Sequence, residues 1–195
     1  MAGWSNHTGT AMVLPRENVD TDQIIPARFM ATPRSEGYGP FLFHDLRDEG
    51  FPTMRVPGAE VLVAGRNFGC GSSREAAVYA LVDAGIRAVI APSFGDIFAG
   101  NAVNNGLLPA RVDDCTAVTL VSALGTGQAD LTLDIPSRRI MLGDLELSFE
   151  LPDPAATKLI NGWDDIDLTR AHAEQIESYR ASREATAQWV WPRAG

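Results

Sequence analysis

Cysteine is scarce: Cys70 and Cys115 are the only two in 195 residues. That is too few for the disulfide framework of a small secreted fold and fits a reduced compartment. No stretch approaches the roughly 18 apolar residues that cross a bilayer. Residues 1–7 have no basic segment followed by an apolar one, so they do not read as a signal peptide. The expected location is the cytoplasm, with no membrane partner. Positive charge is also short, since 16 Lys and Arg face 25 Asp and Glu for a net −9. Nucleic acid is argued against, because phosphate contacts need a basic face. An acidic chain that binds an acidic metabolite must instead concentrate Arg locally. His7, His44 and His172 show no metal-ligand spacing.

What is present is ordinary for a folded chain, 45% apolar and 21% charged. The length suits one domain, 1–195, with a helical C-terminal extension from about residue 153. Residues 60–64 are a short β-branched apolar run between glycines, which predicts a buried strand. A helix follows to about Ala84 and stops at Gly85; Ser72 and Glu75 fit an S-x-x-E capping box at its start. Residues 88–91 predict the next strand, so the segment is a βαβ unit with parallel strands. Further on, 117–121 reads as a strand, and Leu131, Leu133 and Ile135 alternate. Gly143-Asp144 joins two strands as a hairpin turn. Asp153-Pro154 opens a short helix that Gly162 closes, and a longer helix is expected over about 168–187. Residues 18–26 read as a loop feeding a short strand, and 28–40 as an exposed, mobile loop. The expected fold is α/β, with a mixed sheet and flanking helices.

The chemistry concentrates in Gly65-Arg66-Asn67-Phe68-Gly69-Cys70-Gly71-Ser72-Ser73-Arg74-Glu75. This run links a strand to a helix N-terminus, where free N–H groups and the helix dipole favour an anion. Arg74 adds a guanidinium able to grip a carboxylate through two hydrogen bonds. A serine there can be stabilised as an alkoxide beside a bound carboxylate, which proton abstraction next to that carboxylate requires. The run is neither a P-loop, nor a dinucleotide fingerprint, nor the G-x-S-x-G elbow of serine hydrolases. Taken on its residues alone, it is an anion-binding helix start, with a plain helix cap at Ser72 as the competing reading. Asp20 and Asp22 carry a similar pair of readings, a hard-cation site or a turn and cap.

Gly69-Cys70-Gly71-Ser72-Ser73-Arg74-Glu75 resembles the signature of the swivelling domain of the aconitase superfamily. The likeness continues through residues 91–98 and 104–109. Residues 18–26 resemble the N-terminal motif of 3-isopropylmalate dehydratase small subunits, and 159–168 resemble their C-terminal block. The resemblance implies that Ser72 is the catalytic base and that Ser73 and Arg74 bind a substrate carboxylate. It implies that Asp20, Thr21 and Asp22 border the cleft, and that Gly69, Cys70 and Gly71 form the loop backbone. It also implies that 29–38 helps select substrate, with Arg34 as its cation. The sequence departs from the family at Ala76, where His is usual, and at Ala77-Val78-Tyr79, where Ala-Pro-Trp is common.

The family's reaction removes and re-adds water on a hydroxy diacid with the help of a [4Fe–4S] cluster. A cluster needs about three or four thiolates, more than two distant cysteines supply. The resemblance therefore implies a cluster on a separate large subunit and none on this chain. The expected activity is isomerisation of 2-isopropylmalate to 3-isopropylmalate in leucine biosynthesis, in complex with that subunit. The alternative is the same chemistry on a citramalate, methylmalate or homoaconitate type of diacid, and a third possibility is a non-catalytic anion-binding module.

Overall fold

The computed structural model describes residues 2–49, 58–125 and 129–191. Its centre is a seven-stranded sheet in the order β4-β3-β2-β1-β5-β6-β7. The strands are β1 (Asn6–Leu14), β2 (Val61–Ala64), β3 (Ala88–Ala91), β4 (Leu108–Arg111), β5 (Ala129–Asp134), β6 (Arg139–Leu142) and β7 (Leu145–Ser148). From β4 to β1 every neighbouring pair is parallel, and from β1 to β7 every pair is antiparallel. The mixed sheet and the βαβ unit agree with the sequence reading. Pro109 is tolerated because β4 is the edge strand.

Alternation across the short parallel strands divides the core in two. Leu62, Ala64, Val89 and Ala91 point to one face, where α2 (Glu75–Asp83) and part of α3 (Asp96–Asn104) cover them. Val61, Val63, Ala88 and Ile90 point to the other, under α4 (Asp114–Leu124) and α5 (Asp153–Asn161). Strands covered on both sides read as unbroken apolar runs, so β2 and β3 were legible from sequence.

Several expectations are corrected. Residues 117–121 belong to helix α4, whose cap is Asp113 accepting from the Thr116 N–H at 2.6 Å. Leu120 and Leu124, one turn apart, bury its apolar face, and this period overrides the β-branched character of the run. Residues 18–26 do not lead into a strand; they contain the one-turn helix α1 (Thr21–Ile24). Asp20 caps it by accepting from the Gln23 N–H at 2.7 Å, while the Gln23 side chain accepts from the Asp20 N–H at 3.1 Å. The long C-terminal helix is two, α6 (Asp165–Arg170) and α7 (Ala173–Thr186), with Asp164 capping the first.

Residues 28–40 are mostly exposed, although Tyr38 is buried in the core, and they form successive tight turns at Ala27–Ala31, Arg34–Glu36 and Gly39–Phe41. The far end is fastened by Asp83, which accepts both Arg34 terminal nitrogens, at 2.7 and 2.9 Å, and the Tyr38 N–H at 2.6 Å. The near end is clipped by the ion pair of Arg28 with Asp45, which also meets His44. Hydrogen bonding from Arg28, then from His44, lowers the Asp45 carboxyl to about 2. A carboxyl lowered on folding contributes above its ordinary 3.8 and loses that contribution as pH falls through about 2. An NMR titration of Asp45 should show its midpoint near 2, returning toward 3.8 in Arg28→Ala; an unchanged midpoint in that variant would rule out the clip.

Candidate active site

Because β1 to β4 run parallel, their C-terminal ends lie on one edge of the sheet, and the segments that follow them meet there. In open α/β sheets this edge is where ligands bind. The segment after β2 carries Gly69 to Arg74, and the segment after β1 carries Asp20 to Asp22. Asp20 and Cys70 form a parallel bridge. The Gly69 N–H donates to the Val19 carbonyl at 2.8 Å, and the Thr21 N–H to the Cys70 carbonyl at 3.0 Å. The segment after β3 closes the other flank, with Phe68 N–H donating to the Ser93 carbonyl at 3.1 Å and Gly95 N–H to the Phe68 carbonyl at 3.0 Å. Asn67 is tied to both sides, its N–H to the Ser93 hydroxyl and its amide to Asn18, each at 2.8 Å.

Two glycines shape the loop. Gly69 has φ +71 and is buried; a Cβ there would sit 2.2 Å from the Phe98 ring. Phe98 in turn meets Phe68 edge-on and stacks with Phe94. Gly71 has φ +86 and redirects the chain just before Ser72.

Helix α2 begins later than the sequence reading placed it. Its first residue is Glu75, and Arg74, in extended conformation, stands at the cap position with no side-chain cap hydrogen bond. Ser72 therefore does not cap α2. Among the described residues its hydroxyl has no hydrogen-bond partner, and Ser72 and Ser73 are both exposed. The first-turn N–H groups of α2, left without a side-chain cap, give the loop an electropositive floor. Arg74, its side chain 21% exposed, pairs with Asp22. A guanidinium has five N–H donors, so pairing with one carboxylate leaves others for a ligand. Glu75 turns away to accept from the Asn105 amide at 2.9 Å, which fastens α2 to α3.

The expected residues do not all converge. Arg74 and Asp22 pair across the two loops, with the exposed Ser72 and Ser73 immediately before Arg74 in the chain, and Asp20 serves as the α1 cap. Thr21, 1% exposed, is buried beneath the loop. Arg34 is at the far end of α2, held by Asp83 and lying 4.4 Å over the Tyr79 ring. Nine helical residues, about 13 Å of rise, separate that end from Ser72. Burial raises the Tyr79 phenol, with Glu75 adding to the shift. Burial likewise raises the Cys70 thiol, with Asp20 adding to it, which disfavours a reactive thiolate.

The donor set does not fit an iron–sulfur cluster. Cys70 and Cys115 are both free, and among the described residues no three His, Cys, Asp or Glu are grouped to hold a metal.

Residues 49–114, which include this loop and β2 to β4, match the aconitase C-terminal domain. The chain is 44% identical over 192 residues to the 3-isopropylmalate dehydratase small subunit of Shewanella baltica, covering 92% of this chain and 96% of that one. It belongs to the 3-isopropylmalate dehydratase small-subunit family. The Shewanella amazonensis small subunit is 41% identical over 194 residues, with 93% and 96% covered. The solved structure of 3-isopropylmalate dehydratase from Methanocaldococcus jannaschii matches with a TM-score of 0.68 and 30% identity, over 90% of this chain and 99% of that chain.

Within this family member, the sequence reading missed three residues that assemble the loop: Asn67, Ser93 and Phe98. Asn67 had a local signal, since Asn is enriched among non-glycine residues at positive φ and here stands at +58. Ser93 and Phe98 lie in the 91–98 block that carries the family likeness, but their role has no local signal because it depends on the approach of β3 and α3 to the loop. Gly69→Ala is expected to cost about 2–4 kcal/mol, from the left-handed backbone and the collision with Phe98. Thermal or denaturant unfolding measures this, and a variant as stable as the parent would contradict the packing described.

Proposed function

We propose that this chain, as the small subunit of a two-subunit dehydratase, isomerises 2-isopropylmalate to 3-isopropylmalate in leucine biosynthesis, with Ser72 as the catalytic base. The observation that carries the assignment of the base is the unpartnered, exposed Ser72 hydroxyl beside the uncapped N-terminus of α2 and the Arg74 guanidinium. We read 1–195 as one swivelling domain with a helical extension from 153, active only with its large subunit.

Proton abstraction from carbon next to a carboxylate needs a strong base and a way to hold that carboxylate. Arg74 and Ser73 bind the carboxylate, and Asp22 keeps the guanidinium turned toward the cleft. With that charge in place, the α2 N–H groups and Arg74 stabilise the alkoxide form of Ser72. The alkoxide takes the proton, the C–H electron pair becomes the new double bond, and hydroxide leaves from the neighbouring carbon. In the second half, hydroxide adds to the carbon that lost the proton, and Ser72 delivers its proton to the carbon that lost hydroxide, which returns the serine to its alkoxide form. Among the described residues no group of side chains could hold a Lewis acid for the departing hydroxide; a [4Fe–4S] cluster on the large subunit would supply that chemistry in this reading. Arg34 enters the proposal as the anchor of residues 32–38 rather than as a ligand. Among the described residues no helix is long and apolar enough to cross a membrane, and we assign the complex to the cytoplasm, without a nucleic-acid partner.

A second reading keeps the mechanism and changes the diacid. Ala76 and Tyr79, one helical turn apart on α2 and both half-buried, replace the bulkier His and Trp of the family pattern. A citramalate, methylmalate or homoaconitate type of substrate is its content, and a panel of such diacids ranked by kcat/KM decides between them.

In anaerobically reconstituted complex, Ser72→Ala is expected to lower alkene formation from 2-isopropylmalate roughly 10³-fold without loss of assembly. Turnover near that of the parent would remove Ser72 from the mechanism. Arg74→Lys loses the planar fork and is expected to raise KM about tenfold, the worth of one charge-assisted hydrogen bond; an unchanged KM would place the carboxylate elsewhere.

A further inference from the structure

Thr21 is one of two buried polar or charged side chains among the described residues, and at 1% exposure it cannot touch a diacid in the cleft. Its polar groups are directed at the active loop instead. The Thr21 N–H donates to the Cys70 carbonyl at 3.0 Å. Its hydroxyl donates to the Ser72 carbonyl, also at 3.0 Å. Between these two carbonyls lies Gly71, at φ +86 and with no Cβ to restrict it. A Cβ added there would be 3.4 Å from the Asp20 Cβ and 3.9 Å from the Thr21 hydroxyl oxygen.

We infer that Thr21 is a positioning residue for Ser72, gripping the carbonyls on either side of Gly71 so that the Ser72 hydroxyl keeps one direction. The inference rests on the reading of Ser72 as the base. Gly71 is the freest backbone position in the loop, and the Ser72 Cα–Cβ bond turns with it. Fixing Cys70 alone would leave the peptide after Ser72 to swing. Fixing both carbonyls from one residue on the capped α1 turn, the first through its N–H and the second through its hydroxyl, removes that freedom. Arg74 is held separately, through Asp22, so carboxylate binding does not depend on the Thr21 hydroxyl. Misplacing a reacting group by about 1 Å costs on the order of 10²-fold in rate.

The test uses the full chain in complex with its large subunit. Thr21→Val keeps the β-branched shape and deletes the hydroxyl, Thr21→Ala deletes it in a smaller side chain, and Thr21→Ser keeps it. The readouts are kcat, KM and the primary isotope effect with 2-isopropylmalate deuterated at its methylene carbon, at matched amounts of assembled complex. The expected result is a fall in kcat on the order of 10²-fold in the Val and Ala variants, with KM little changed and a larger isotope effect. Thr21→Ser should restore most of the turnover. The inference is overturned if the Val and Ala variants turn over like the parent, or if kcat falls with the isotope effect unchanged. The first means the hydroxyl is irrelevant and the second that fewer molecules are active. A Ser variant as defective as Val overturns it too. Failure of the parent reading is separate: it appears with Thr21 intact, as turnover that survives Ser72→Ala.

Discussion

Between Val19 and Thr21 on one side and Gly69 and Cys70 on the other, two backbone hydrogen bonds pair the segments as if β1 and β2 continued past their ends. The pairing is possible because Gly69 and Gly71 adopt left-handed backbone, and Gly69 leaves room for the Phe98 ring. Everything else at the site follows from it. It sets α1 against the start of α2, brings Asp22 to Arg74, and places Thr21 beneath Ser72. Without that short bridge, the two motifs would be separate loops on one edge of a sheet.

The late start of α2 decides the chemistry. Had Ser72 capped the helix, its oxygen would be accepting from a backbone N–H and oriented along the helix axis. With Arg74 at the cap position and no side-chain cap, the same N–H groups stay available to an anion and the Ser72 hydroxyl stays free. The sequence supports both arrangements, since Ser72 and Glu75 have capping-box spacing. The positive φ at Gly71 is what moves the chain away from the capped one.

Division of labour between two chains is consistent with this architecture. The small subunit holds Ser72, the Arg74 guanidinium and the N-terminus of α2 on one edge, where another chain can cover them. Of its two cysteines, Cys70 is half-buried in the loop and Cys115 is exposed on α4, and among the described residues neither is in the company a cluster needs. A swivelling part that carries base and anion site, and a separate part that carries the Lewis acid, would assemble a complete site only on contact.

By itself the sequence determined the local features whose physics is local. The parallel strands β2 and β3 announced themselves as apolar runs, the β6–β7 hairpin through Gly143-Asp144, the end of α2 through Gly85, and the end of α5 through Gly162. The loop chemistry was legible in Gly69 to Glu75 because its residue types are unusual together. The tertiary structure alone decided that residues 117–121 are helical, since burial of Leu120 and Leu124 outweighs β propensity. It decided that α1 exists, because a single turn is stable only when capped and packed. It also decided that Arg34 answers to Asp83 while Thr21 answers to Ser72. Those assignments join residues about fifty positions apart, and no short-range pattern encodes which distant partner a side chain will meet.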